Sequence, residues 1–189
     1  MEIYRTFEGQ YQGVYLARFV NCPFYKTPED YETELDKIQD HLQNPLYVRD
    51  FIKSSQSGWK KGSYKNDNLN FLVKQVLLES ADLFDKLDKI SEESLGGDCF
   101  ETLFDEFIEL SKSERIDDPG RRKMYTYDHG SFLRLYGIRL GNNAIIVTGA
   151  GIKLVGKMQG SSALKMELNK LDYLKDWLKN ENITDCTEF

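Results

Sequence analysis

The stretch SFLRLYGIRLGNNAIIVTGAGIKL, from Ser131 to Leu154, most constrains the fold. Two runs rich in branched and aromatic residues flank the polar LGNN, the pattern of a β-hairpin. A third run, RKMYTYD, precedes them, so a small antiparallel meander is expected. With Asn142-Asn143 as a two-residue turn, which suits asparagine's tolerance of positive φ, Arg134 falls opposite Gly151, Tyr136 opposite Gly149 and Phe132 opposite Lys153. Treating DHGS as a four-residue loop sets Tyr125 opposite Arg134 and Lys123 opposite Tyr136.

Side chains alternate across a strand. One face of the meander should therefore carry Lys123, Tyr125, Arg134, Tyr136 and Lys153 over the bare backbone of Gly149 and Gly151. The other face should carry Met124, Leu133, Leu135, Ile146, Ala150 and Ile152, an apolar floor for helices. The glycines have two readings, close packing or strand curvature on one side and room for a ligand on the other. GAGIKLVG matches neither phosphate-loop pattern and ends a meander strand rather than opening a helix. His129 reads either as a turn residue or as an acid/base group at the rim of the patch.

The remaining chain is mostly helical. QGVYLARFV, from Gln12 to Val20, reads as a strand. Thr27-Pro28-Glu29-Asp30 and Asn44-Pro45 each carry a capping residue followed by proline, so each is expected to start a helix. Residues 53–68 read as a surface loop pinned by Trp59 and Tyr64, and Phe71, Leu72, Val76, Leu83, Phe84 and Leu87 mark a long amphipathic helix. A capping box at Asp98 and Glu101 opens a further helix through Ile108, whose acids Asp105, Glu106 and Glu109 read as a solvated face. A last helix, Ser161 to Lys179, sets Leu164, Leu168, Leu171, Leu174 and Leu178 in a stripe, and the tail beyond it reads as loose. The order β, several α, three β, α is that of an α+β domain. The whole chain reads as one such domain: a strand region over 1–25, helices over 26–113, the meander over 114–160 and the last helix over 161–180.

Composition narrows the function classes. No run reaches the length of a membrane span and no basic-then-apolar leader opens the chain, which points to the cytoplasm. Cys22, Cys99 and Cys186 are odd in number and far apart, so neither a disulfide framework nor a metal-ligand set is expected. The net charge of −6 hides an uneven distribution: between Pro119 and Lys165 eight basic residues face one acid. A basic stripe of this kind attracts phosphate, or it edges a sheet against unwanted pairing.

The residues RLYGIR (Arg134 to Arg139), LGNN, AIIVTG and IKLVGK (Ile152 to Lys157), followed by a helix, resemble the RelE/ParE superfamily of toxins, above all its HigB-like, phage-derived branch. The element order of strand, helices, antiparallel meander and helix is similar too. The resemblance implies a RelE-like fold with a helical insertion and a metal-independent messenger-RNA endoribonuclease that uses no cofactor, acts often on the ribosome and is held by a small antitoxin. It also implies roles: Arg134, Tyr136 and Lys153 in catalysis, and Lys123, Tyr125, His129, Arg139 and Lys157 in RNA binding. The helical region is enlarged relative to that family, and the paired lysines of the branch are spread into IKLVGK. An alternative is a non-catalytic protein-interaction module on the same scaffold, and a third reading is a small-ligand binder above the glycines.

Overall fold

The computed structural model describes residues 1–5, 13–60, 64–93, 106–110, 119–127, 130–141, 144–155 and 160–188. The class is α+β. Its strands are β1 (Glu2–Arg5), β2 (Gly13–Arg18), β3 (Ile108–Glu109), β4 (Gly120–Tyr125), β5 (Leu133–Leu140) and β6 (Ala144–Ile152). Its helices are α1 (Glu34–Gln43), α2 (Pro45–Ser54), α3 (Gln56–Trp59), α4 (Leu69–Glu93) and α5 (Ser162–Asn180).

The expected meander is the centre of something larger. Among the described residues the strands form one mixed sheet in the order β1-β2-β6-β5-β4-β3, with β2 parallel to β6 and the other pairings antiparallel. Ile108, read as the end of a helix, lies in β3 and pairs with Lys123. The rest of the helix expected from Asp98 falls largely outside the described residues.

The hairpin register repays inspection. Arg134 pairs with Gly151, Tyr136 with Gly149, Tyr125 with Arg134 and Lys123 with Tyr136, as the sequence predicts. The turn is nonetheless one residue longer than predicted. Leu140 pairs with Ala144, so three residues separate the paired ends, the first of them Gly141 at φ 58°, where a side chain would strain the backbone. The register then shifts between Tyr136 and Gly137, and Thr148 is the extra residue of a β-bulge. The longer turn and the bulge cancel, so the outer half of the hairpin lands in the predicted register. Ile146, between them, does not: it joins Tyr15, Ile138 and Leu140 on the face opposite Leu133 and Leu135.

Both faces of the sheet are covered. Met124, Leu133, Leu135 and Ile152 pack with Ile38, Leu42, Ile52, Leu72, Val76 and Leu87, so the enlarged helical region takes the apolar floor the meander offers. Leu164, Leu171, Leu174 and Leu178 of α5 cover the other face over Tyr136, Ile138 and Ile146. At about 25 cal/mol per Å² of apolar surface, these two layers are the main source of stability.

The helix starts are partly as expected. Asn44 caps α2 by accepting hydrogen bonds from the Leu46 and Tyr47 amides, with Pro45 in the first turn. At the earlier signal, Thr27 caps nothing. Its hydroxyl accepts from the Phe19 amide and donates to Glu34 Oε1, tying it to the end of β2. α1 begins later, where Thr33 and Asp36 form a capping box. Trp59 is buried and donates its indole N–H to the Ile52 carbonyl, and Tyr64 packs on Phe132, so both pin the segment before α4. The tail is not loose: Ile183 and Cys186 pack against the α5 side of the core.

Candidate functional site

The residues singled out in sequence separate into three groups. Tyr125, opposite Arg134, and Lys123, its neighbour along β4, share the α5-covered face with Lys153, which follows β6. The Arg134 guanidinium lies 4.8 Å from the centre of the Tyr125 ring and the Lys123 ammonium 5.6 Å from it, so one aromatic ring serves two cations. Lys153 is held below the usual lysine pKa, first by burial and then by the charges of Arg134 and Lys123. The Lys153 amide donates to the Phe132 carbonyl at 2.7 Å, fixing the strand end that carries it. Arg134 is buried, while Lys123, Tyr125 and Lys153 are half-buried. This basic corner is the candidate site.

Tyr136 leaves the reacting set. Its ring is fully buried beneath α5, and its hydroxyl has no hydrogen-bond partner among the described residues. Burial raises its pKa, with Arg134 opposing and Glu167 adding to the rise. Contact with RNA would require α5 to lift. Arg139 lies near the far end of β5, paired with Gly120 and Ile145, and its Nε donates to the Gly141 carbonyl, so the structure does not bring it to the corner. His129 and Lys157 lie outside the described residues.

The glycines settle into the close-packing reading. A Cβ on Gly149 would collide with the Glu167 carboxylate and stand 2.6 Å from Lys170 Nζ, and one on Gly151 would stand 2.6 Å from Leu164 Cδ2. They are the seat of α5, whose Leu164, Glu167 and Lys170 fill the space where their side chains would stand.

Sequence reasoning missed what sits in that seat. Lys170 Nζ donates to Glu34 Oε2 at 2.9 Å and lies 2.8 Å from Glu167 Oε2, an ion pair without hydrogen-bond alignment. Lys37 Nζ donates to Glu34 Oε2 at 2.8 Å and also to the Tyr25 hydroxyl. Tyr25 in turn donates to Glu34 Oε1 at 2.8 Å. Lys170 and Glu34 have no solvent exposure. Burial pushes the Glu34 pKa up, but Lys170 and Lys37 overcome it and leave the carboxyl below its ordinary value. Glu167 goes the other way, because burial, with Glu34 adding to it, outweighs the pull of Lys170 and Lys37. The pattern could have been seen in α5 and α1: Glu167 and Lys170 stand four residues before Leu171 and Leu174, and Glu34 four before Ile38, on the buried stripes of their helices.

Among the described residues no helix is long and apolar enough to cross a membrane. No family model matches the chain, and neither does any curated protein or solved structure.

Proposed function

We propose that the protein is a RelE/HigB-like toxin, a metal-independent messenger-RNA endoribonuclease whose working site is the basic corner. The observation that carries this reading is the convergence of Arg134 and Lys123 on the Tyr125 ring, with Lys153 close enough for both charges to lower its pKa, a basic group of the kind that attracts an RNA phosphate. The element order and the RLYGIR and IKLVGK segments support it further. Most of the helical region packs on the opposite face of the sheet, and α4 reaches the corner only at its edge, where Lys86 donates to the Tyr125 carbonyl.

In this reading the fraction of Lys153 that is neutral takes the proton of the ribose 2′-hydroxyl as its oxygen forms a bond to phosphorus. Arg134, held by packing and by the Tyr125 ring, stabilises the charge that grows on the phosphoryl oxygens. The bond from phosphorus to the 5′-oxygen breaks, and that oxygen takes a proton from the Lys123 ammonium. The products are a 2′,3′-cyclic phosphate and a free 5′-hydroxyl. A small antitoxin that covered the corner would silence the enzyme.

The test is incubation of the full chain with messenger RNA, alone and with ribosomes, in the presence of EDTA. Cleavage to cyclic-phosphate ends, lost in Arg134→Ala and Lys153→Ala, is the expected result. Intact RNA in both settings would defeat the ribonuclease reading. RNA or protein binding without cleavage would favour the interaction module, which the burial of Tyr136 favours.

A further inference from the structure

A second feature is not used by the reaction above. β2 pairs with β6 only as far as Leu16 and Val147, so beyond the Thr148 bulge β6 continues without that neighbour. In the gap lies a cavity of about 290 Å³, partly open to solvent, bordered by Ala150, Gly151 and Ile152 of β6 and by residues of α1, α2 and α5.

Its lining has three properties that together specify an occupant. The floor is apolar, from Ile38, Leu42 and Ala163. One wall is aromatic: the His41 and Tyr47 rings stack at 4.2 Å and 22°, and Tyr47 and Phe51 lie nearly parallel at 6.5 Å. Two charged groups complete it. Lys37 uses one N–H on Glu34 and one on Tyr25, which leaves a third donor. Glu167 lines the cavity as well; its Oε2 faces Lys170, and a carboxylate has acceptor capacity on both oxygens.

A donor and an acceptor in one cavity with an aromatic wall complement a planar ring that carries an acceptor beside an N–H. The cavity also favours an uncharged occupant. Glu34, Glu167, Lys37 and Lys170 already balance, and another charge here would be desolvated without a partner. An amino acid zwitterion would meet the same two groups but would have to surrender the hydration of two full charges. The volume suits a two-ring heterocycle.

We infer that this cavity binds a purine base, with Lys37 donating to a ring nitrogen or carbonyl, Glu167 accepting from a ring or amino N–H, and the ring plane lying along His41 and Tyr47. The site does not depend on the ribonuclease reading, since it requires no phosphate and uses no residue of the corner.

The test is a titration of the full chain with guanosine and with adenosine, followed by ligand-observed NMR, with leucine and ribose 5-phosphate as controls. Saturable binding of at least one purine nucleoside and of neither control is expected. Glu167→Gln should weaken it at least tenfold. Because that change also disturbs Lys170, Ala163→Phe is the second variant: it fills the cavity from its floor, replaces none of the four charged residues and should abolish binding. Lys153→Ala should leave binding unchanged. No purine binding, leucine binding in its place, or purine binding that survives Ala163→Phe would each overturn the inference. Loss of RNA cleavage in Lys153→Ala with nucleoside binding intact separates this site from the corner.

Discussion

Two groups of charged residues stand on the same face of the sheet, with Tyr136 between them, yet they are built on opposite rules. Around Glu34, Lys37, Glu167 and Lys170 the signs alternate, the atoms are almost wholly buried and the charges pair with one another. Arg134, Lys123 and Lys153 are instead three cations gathered closely enough to lower the Lys153 pKa, and the lysines are half-buried. The difference lies in where the compensating charge comes from. The first group balances itself and holds α1 to α5 through the gap beside β2. The second gathers repulsion that a bound anion would offset, and a fold bears that only where water or a ligand has access.

The sharpest way to break the contrast is to strand the buried carboxylates. Lys170→Met should cost about 3–5 kcal/mol, because it leaves Glu34 and Glu167 in the core with half their compensation. Urea unfolding measures it, and a cost below about 1 kcal/mol would mean that the cluster is hydrated in solution. Next in size, Lys153→Ala should lower RNA cleavage about 10²-fold or more while moving the unfolding free energy by only about 0.5 kcal/mol. Equal losses of stability and cleavage would place both groups under one rule. Gly149→Ala should destabilise by about 1–3 kcal/mol, since the new methyl meets the Glu167 carboxylate, and thermal unfolding reads it directly.

Smaller still is a pH effect. Lys153 reacts as its neutral form, so cleavage should rise with pH and level off sooner than with an isolated lysine, because burial and then Arg134 and Lys123 disfavour its proton. Lys123→Gln removes one like charge together with the proton donor, so the cleavage that remains should be much slower and its rising limb should lie at higher pH. The smallest expected change is Asp172→Ala. It breaks an exposed pair with Arg121 and should cost no more than about 1 kcal/mol by urea unfolding.

The contrast also explains what could be read in advance. The corner was legible because the alternation of β-strands and the hairpin pairing place Lys123, Tyr125 and Arg134 together from local sequence alone. The cluster was not, because Lys170 and Glu34 meet across 136 positions and each resembles an ordinary charge on an amphipathic helix. Only their places on the leucine and isoleucine stripes gave a sign. β1 and β3 escaped because each is short, and the parallel pairing of β2 with β6 is a long-range choice that no local pattern encodes. Tyr136 was placed on the right face, but alternation says nothing of what covers that face, and the partner that buries it begins more than twenty residues later in α5.

The Thr148 bulge bears on how this chain can change over evolutionary time. The connection at Gly141 takes one residue more than a two-residue turn, and the bulge returns it, so the two features form a matched insertion and compensation. Loss of either alone would exchange the faces of residues 145–147 or else of the glycine run, turning apolar side chains toward the wrong layer. Loss of both at once would leave the packing of α5 and of the helical region in phase. Divergent sequences of this architecture should therefore vary in hairpin length by paired events, and an alignment drawn without gaps through this strand would set Ile145, Ile146 and Val147 against residues of the opposite face.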